Sequence, residues 1–168
     1  MFSWGKNKKT LEALEILAPI PGEVKLLSEV PDPAFAGGHM GEGAAIEPAE
    51  GRVYAPFDGK VAHVMDKSKH AVILEHKSGI QVLIHVGIET VSLKGEGFTV
   101  HVKNGAKVRQ GQLLLEFDIQ TIKAAGLSVM SPIIVPEGLE AAARVDVHDP
   151  QKRTSPDDPI MTVHLKSS

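Results

Sequence analysis

Two apolar runs joined by a short turn dominate the middle of the chain, which reads HAVILEHKSGIQVLIHV over residues 70–86. The runs are rich in Val, Ile and Leu, and the connection between them ends in Gly79. Such runs on either side of a glycine-containing turn predict a β-hairpin, with strands over 70–76 and 80–86. Because both runs are apolar at nearly every position, we expect both faces of this hairpin to be buried.

Short apolar runs between turn residues extend over most of the chain. The pattern A-P-x-x-G-x-V occurs at 18–24 and at 55–61, and each copy predicts a turn that leads into a strand. Asp118 predicts the start of a helix of one to two turns that ends at Gly126, and 138–143 is a further turn candidate. Residues 31–43 and 149–159 are interpreted as loops. The remaining predicted strands cover 59–64, 99–102, 112–117, 131–135 and 160–165. This pattern indicates an all-β sandwich or barrel.

The composition limits the kinds of protein that this chain can be. It has 168 residues, 42% hydrophobic and 23% charged, which suits one globular domain with a sizeable core. The net charge of −3 provides no basic surface, so no nucleic-acid partner is expected. The absence of cysteine excludes disulfides, thiolate metal sites and cysteine nucleophiles. No apolar run reaches the roughly 18 residues that a membrane span needs.

The N-terminal residues and the missing motifs narrow the function further. Three lysines lie within residues 1–9 with no apolar segment and cleavage site after them, so we expect a cytoplasmic protein. We interpret 1–15 as a flexible segment with at most peripheral membrane contact, through Phe2 and Trp4. The chain contains no G-x-x-x-x-G-K-[ST] loop, no H-E-x-x-H zinc motif and no G-x-S-x-G nucleophile elbow.

Three of the eight histidines, His70, His76 and His85, lie on the predicted hairpin, and the length of its turn decides how His70 and His85 are arranged. With a four-residue turn, Glu75 pairs with Ile80, and His70 falls opposite His85 on one face, with Cβ atoms roughly 5 Å apart. With a three-residue turn, His70 pairs with Val86, and the two histidines lie on opposite faces. The uniformly apolar strands leave both registers open.

A facing pair of histidines suits phosphoryl transfer. A neutral imidazole nitrogen can attack phosphorus and hold the phosphoryl group as a phosphoramidate. The second imidazole can donate an N–H to the phosphoryl oxygens, where negative charge accumulates. Ser68, two residues before His70, is placed to hydrogen-bond that ring. Histidines that only support packing are the commoner case, so the surrounding sequence has to decide.

Six stretches of the chain occur in the order found in a known family. They are VPDPAF at 30–35, MGEGAAI at 40–46, APFDG at 55–59, GIQVLIHVGIETV at 79–91, LKGEGF at 93–98 and the stretch from Asn104-Gly105 to Phe117-Asp118. Together they resemble the glucose-type enzyme IIA family (EIIA type 1) of the phosphoenolpyruvate:sugar phosphotransferase system. The resemblance extends over about residues 16–165.

The resemblance implies a fold and a pair of active residues. The fold is a compact antiparallel β-sandwich, or barrel-sandwich hybrid, with one or two short helical turns, forming a single domain over 16–168 with its signature core at about 34–138. The two histidines face each other in a shallow apolar depression, which selects the four-residue turn. By position, His85 accepts the phosphoryl group, His70 helps to pass it on, and Ser68 orients the His70 ring.

The resemblance also implies partners. A histidine-containing phosphocarrier protein is the donor, and a cysteine on the enzyme IIB domain of a sugar permease is the acceptor; regulated metabolic proteins are further candidates, and no cofactor is required. The implied partner-binding residues are Asp32, Phe35, Ala45, Ile46 and Glu89. Ala45 and Ile46 fit the core equally well. Glu89 stands where Asp is commoner, and its carboxylate can pair with an arginine of the phosphocarrier.

One further feature bears on the number of histidines at the site, and another on whether the chain is a free protein. His39 is unexpected in its loop, where it either adds a third imidazole to the site or faces water, and we expect water. Met1 and the lysine-rich start favour a free protein over a segment of a permease.

Two alternative functions stay open at this point. A zinc hydrolase on a related fold would use His70 and His85, although catalytic zinc takes three protein ligands and no third is evident nearby. Zinc shared between these two histidines and a partner's carboxylate needs fewer ligands from this chain. Residues 64–68 resemble a lipoyl attachment turn, which would make the chain a lipoyl or biotinyl carrier modified on Lys67.

Overall fold

Short apolar strands make up most of the computed structural model, which describes residues 12–150, 152 and 154–166. The strands are β1 Ala13–Leu17, β2 Gly22–Leu26, β3 Gly41–Pro48, β4 Arg52–Tyr54, β5 Gly59–Val64, β6 Ala71–Glu75, β7 Gln81–His85, β8 Phe98–Val100, β9 Lys107–Val108, β10 Leu113–Phe117, β11 Ser131–Pro136, β12 Ala142–Val147 and β13 Pro159–Leu165. The helices are α1 Pro33–Ala36 and α2 Ile119–Ala124, with 3₁₀ turns at Leu27–Glu29 and Thr90–Leu93.

The strands form three antiparallel sheets around one core. The largest sheet has seven strands in the order β2-β3-β11-β7-β6-β5-β9, and the two smaller sheets are β1-β13-β12 and β4-β10-β8. Side chains from all three sheets meet in the main core, which includes Ile16, Ile84, Leu114 and Val163. Burying each such side chain is worth about 1.5–3 kcal/mol. The predicted all-β antiparallel fold with two short helical segments is confirmed.

A second, smaller apolar cluster is separate from the main core. It consists of Val30, Phe35, Ala45, Ile88 and Ile134, which come from α1, the segment before it, β3, β11 and the turn after β7. These elements come from three separate parts of the sequence but pack together around the end of β7. The cluster therefore fixes the position of the residues that follow β7.

The β6–β7 hairpin has a three-residue turn, and the predicted four-residue turn is wrong. Glu75 pairs with Gln81 and Ala71 with His85, so His70 comes level with Val86. The His76 N–H donates to the Ile80 carbonyl at 2.8 Å. His76 therefore pairs with Ile80, whereas the four-residue turn would have placed His76 in the turn. Gly79 completes the turn at φ 94°, as three-residue hairpin loops require.

Strand β3 was not predicted, and its first three residues, 41–43, lie in the region interpreted as a loop because Gly41 and Gly43 are typical of turns. An added Cβ at Gly43 would lie 1.9 Å from the Ile133 carbonyl oxygen, and one at Gly41 would lie 2.1 Å from that of Val135. These glycines therefore allow β3 to approach β11 closely. α1, which starts after Asp32, was missed in the same loop.

The remaining predictions had mixed outcomes. α2 is confirmed, with the Asp118 carboxylate accepting the Gln120 N–H at 3.0 Å as its N-cap. The 138–143 turn candidate runs into β12, which was missed. The interpreted flexible segment 1–15 falls mostly outside the described residues, together with Phe2 and Trp4, but its last residues belong to β1 and pair with β13. β1 therefore begins three residues before the predicted domain start.

Candidate active site

Two imidazole rings meet at one end of the β6–β7 hairpin. The ring centroids of His70 and His85 are 4.7 Å apart, and the ring planes are at 82°, an edge-to-face arrangement. The predicted facing pair is therefore confirmed, although the register predicted with it is wrong. His70 precedes the first residue of β6 and follows Lys69, which has φ 59°. Outside the regular strand, His70 does not follow the alternation of side chains between faces, so its ring can reach His85.

His85 is half-buried, and one of its ring nitrogens is already engaged. Nδ1 lies 2.8 Å from the Gly87 carbonyl oxygen, which can only accept, so Nδ1 carries the hydrogen and Nε2 carries the lone pair. Burial lowers the pKa of His85, against smaller opposing effects of the Gly87 carbonyl and the Asp32 carboxylate. A neutral ring with its lone pair on Nε2 is the nucleophilic form of histidine.

His70 is buried and incompletely hydrogen-bonded. It is 4% exposed, and its Nδ1 has no hydrogen-bond partner among the described residues. Burial and the neighbouring His85 lower its pKa to about 4, and the backbone of Ser68 opposes this shift. His70 is therefore uncharged near neutral pH. A buried nitrogen without a partner is costly in a folded protein, which makes this ring a candidate to bind a polar group.

α1 brings an aromatic ring and a carboxylate to the histidines. The Phe35 ring centroid is 5.0 Å from that of His85 at an interplanar angle of 55°. Asp32 caps α1 by accepting the Ala34 N–H at 2.9 Å, and its charge favours protonation of His85. Both residues belong to the predicted partner-binding set. The structure places both at the site, although the buried Phe35 offers little surface to a partner.

Three other predicted site residues lie where the predicted roles do not fit. Ala45 and Ile46 are fully buried in β3, Ala45 in the smaller cluster with Phe35 and Ile46 in the main core, so they offer no surface to a partner. The Ser68 hydroxyl makes no hydrogen bond to His70 among the described residues. Ser68 acts on the ring through its backbone, which raises the pKa of His70. Sequence position had not indicated which face or which atom of these residues points to the site.

Glu89 and His39 lie on the surface. Glu89 is exposed at φ 60°, immediately before the 3₁₀ turn Thr90–Leu93, so its carboxylate is available to a partner. His39 is exposed, as expected, and its ring lies beside Gly37.

Sequence reasoning missed the residues that hold the turn after His85. The Gly87 N–H donates to the Ser131 hydroxyl at 3.1 Å, and the Ile88 N–H donates to the Ser128 carbonyl at 3.0 Å. The Thr90 hydroxyl donates to the Val86 carbonyl. A glycine two residues after a histidine was the only signal of this turn, and no motif pointed to the serines.

Of the two alternative functions, the zinc hydrolase lacks the ligands it needs in the described part of the chain. Within the described residues, no group of three or more His, Cys, Asp or Glu side chains could hold a metal ion, so a zinc hydrolase has no site there. Zinc shared by His70 and His85 with a partner stays a prediction. Lys67 is an exposed turn residue between β5 and β6.

In the part of the chain that the structure describes, no helix is long and apolar enough to cross a membrane.

The site and fold have counterparts in known proteins. Residues 14–140 match the family model for EIIA 1 of the phosphoenolpyruvate-dependent sugar phosphotransferase system. The glucose-specific EIIA component of Oceanobacillus iheyensis is 49% identical over 122 residues, 73% of each chain. That of Bacillus cereus is 45% identical over 132 residues, 79% of each chain. The glucose permease IIA structure from Mycoplasma capricolum matches with a TM-score of 0.78 and 32% identity, covering 89% of this chain and 95% of that one.

These matches extend over most of the chain. The chain belongs to the EIIA type 1 family of the sugar phosphotransferase system, whose members are phosphotransfer proteins. Neither the zinc hydrolase nor the lipoyl carrier is supported by this assignment.

Proposed function

We propose that this protein carries a phosphoryl group from a histidine-containing phosphocarrier protein to a cysteine of an enzyme IIB domain during sugar uptake. The single observation that supports it most directly is the engaged Nδ1 of His85, which leaves Nε2 as the nucleophile. No nucleotide or cofactor enters the reaction. Its proposed setting is the cytoplasm, where the glycolytic intermediate phosphoenolpyruvate supplies the phosphoryl group.

The first transfer step exchanges one nitrogen–phosphorus bond for another. The lone pair on His85 Nε2 attacks phosphorus, the donor's N–P bond breaks, and its electron pair returns to the donor imidazole. The Nδ1–H of His85 stays hydrogen-bonded to the Gly87 carbonyl throughout. This hydrogen bond stabilises the positive charge that the phosphorylated ring acquires. Donor and acceptor nitrogens have similar chemistry, so the step needs positioning more than activation.

The second step hands the phosphoryl group to sulfur, and His70 supports this step. The acceptor thiolate attacks phosphorus, the N–P bond of His85 breaks, and its electrons return to Nε2. His70 is uncharged near neutral pH and has a ring nitrogen to spare, so it can donate one N–H to the phosphoryl oxygens. A neutral donor stabilises the transition state without holding the phosphoryl group as tightly as a cation would.

The partner surface in this proposal surrounds the two rings. Asp32 and the exposed Glu89 supply negative charge near His85, which suits a donor with arginine beside its own histidine. The tilted Phe35 ring keeps an apolar wall against His85. Ala45 and Ile46 are excluded from this surface by their burial.

The test is transfer of labelled phosphate from phosphoenolpyruvate through enzyme I and the phosphocarrier protein. We expect acid-labile label on the wild type, at His85 Nε2, and none on His85→Ala. His76→Ala is the matched control, since it removes another buried histidine of the same hairpin, and it should label normally. An unlabelled wild type, or a labelled His85→Ala, would contradict the proposal.

A further inference from the structure

A strand that carries no predicted site residue holds the turn behind His85. Ser131 begins β11, lies 44 positions from Gly87 in the chain and is fully buried. Its hydroxyl oxygen accepts the Gly87 N–H at 3.1 Å and donates its own hydrogen to the Val129 carbonyl at 2.9 Å. The hydroxyl hydrogen is thereby committed, so the oxygen faces Gly87 as an acceptor.

Gly87 is held on both sides. On its N-terminal side, the Val86–Gly87 peptide donates to Ser131 and accepts from the Thr90 hydroxyl. On its C-terminal side, the Gly87–Ile88 peptide donates to the Ser128 carbonyl and accepts from His85 Nδ1. Every N–H and C=O of the two peptide units therefore has a partner, and one of the four partners is the reactive ring.

Space reinforces this arrangement. Gly87 has φ 70°, and an added Cβ would lie 2.6 Å from Thr90 Cγ2 and 2.9 Å from the Ser128 carbonyl oxygen. Thr90 and Ser128 therefore pack closely against the Gly87 Cα and leave no room for a side chain. The peptide units cannot rotate without losing a hydrogen bond, so these hydrogen bonds set the direction of the Gly87 carbonyl.

We propose that Ser131 is a positioning residue that, through Gly87, fixes the tautomer and the orientation of His85. Its hydroxyl fixes the Val86–Gly87 peptide, which shares the Gly87 Cα with the Gly87–Ile88 peptide. It thereby helps to fix the direction of the Gly87 carbonyl and so keeps the ring hydrogen on Nδ1. Ser131 itself does not contact the ring. The importance of this for phosphoryl transfer rests on the function proposed above, whereas the effect on the tautomer does not.

Without the hydroxyl, the Gly87 N–H is left buried and unsatisfied. Such a group costs about 1–3 kcal/mol, so the peptide unit is expected to turn towards another acceptor. The Gly87 carbonyl then moves from His85 Nδ1, and the ring loses the contact that selects its tautomer. Some molecules then carry the hydrogen on Nε2, where it blocks the nucleophile.

The test compares Ser131→Ala with Ser78→Ala. Ser78 hydrogen-bonds the ring of His76 directly, at the far end of the same hairpin, so the loss of its hydroxyl controls for a general loss of stability. We expect the ring ¹⁵N shifts of His85 to report the Nδ1–H tautomer in the wild type and Ser78→Ala, and a mixture in Ser131→Ala. Phosphorylation of Ser131→Ala at saturating donor should slow roughly tenfold with KM unchanged, a typical loss for a group that orients a histidine.

Two further variants complete the test. Ser131→Thr keeps the hydroxyl and should retain the wild-type tautomer. Thr90→Val is nearly isosteric and removes the other hydrogen bond of the same peptide unit, so it should shift the tautomer in the same direction. It takes the place of Ser131→Ala in the test if that variant fails to fold.

The outcomes separate this inference from the proposed function. A folded Ser131→Ala with the wild-type tautomer would overturn the inference, and so would an unchanged Thr90→Val if Ser131→Ala does not fold. If the wild type takes no phosphate while Ser131→Ala still shifts the tautomer, the proposed function fails and the positioning of His85 by Ser131 stands.

Discussion

A buried histidine lies at each end of strand β6, and the two rings have different surroundings. His76, just after the strand, is 8% exposed, and its Nδ1 accepts the Ser78 N–H at 3.1 Å and lies 2.9 Å from the Ser78 hydroxyl. Its ring meets Phe57 edge to face at 5.4 Å. His70, just before the strand, is 4% exposed, has no partner for Nδ1 among the described residues, and meets a second imidazole instead.

The comparison separates what marks a reactive site from what marks a buried histidine. Burial lowers the pKa of both His70 and His76, so neither burial nor a low pKa distinguishes them. The free nitrogen and the facing imidazole occur only at the His70 end of the hairpin. His76 has the aromatic packing and the hydrogen bonds of a structural residue, which makes it a control within the same hairpin.

The largest contrast is expected in onward transfer. His70→Ala should still accept phosphate on His85 but should pass it to an enzyme IIB domain at least about 100-fold more slowly, because a donor to the phosphoryl oxygens is lost. His76→Ala should pass it on at the wild-type rate. Rapid-quench measurement of label leaving His85 checks this. Equal rates in the two variants would show that His70 contributes no more to onward transfer than His76.

A smaller contrast is expected between two glycines, one in the turn at each end of the hairpin. Gly87→Ala should lower the free energy of unfolding by about 3 kcal/mol, since it combines a left-handed backbone with a clash. Gly79→Ala should cost about 1–2 kcal/mol, because at φ 94° its Cβ would meet only the Ala141 Cβ, at 3.5 Å. Urea unfolding at pH 7 measures both, and equal losses would show that the turn after β7 is not the tighter one.

The smallest contrast is expected in the pH dependence of stability. The pKa of His70 is about 4 in the folded chain and near 6.5 when unfolded, so the unfolded chain binds more protons between these values. The free energy of unfolding therefore falls as pH is lowered through this window. Between pH 7.5 and 4.5 it should fall by about 2 kcal/mol less in His70→Ala than in the wild type.

His76→Ala should change the pH dependence in the same direction, because the pKa of His76 is also lowered. Urea midpoints at the two pH values test both variants. A wild-type pH dependence in His70→Ala would mean that His70 titrates alike in the folded and unfolded states.

Sequence patterns predicted the parts of the fold that are locally encoded. The β6 and β7 runs and the α2 cap were recognised because each is written in consecutive residues. β3 was not, since Gly41 and Gly43 are explained only by the approach of β11, a tertiary contact. The hairpin register was also missed, because the two runs are apolar at nearly every position and their sequence carries no alternation to fix it.

The site divides in the same way. Resemblance to the family identified His70 and His85, and the structure brings their rings together. It could not reveal that Ala45 and Ile46 are buried, since sequence position does not define which face of a strand is exposed. Ser131 carries no motif and is remote in sequence from Gly87, so only the folded chain brings its hydroxyl to the turn.

The position of β7 has a consequence for turnover. β7, which ends in His85, is the fourth strand of the seven-stranded sheet and is paired on one side with β11 and on the other with β6. Segments of this kind open only in the least frequent unfolding events, so His85 is displayed on a rigid platform. In the proposed cycle, donor and acceptor must then dock on the same unchanging surface and exclude each other. The dissociation of each spent complex therefore sets an upper limit on the flux of phosphate through the protein.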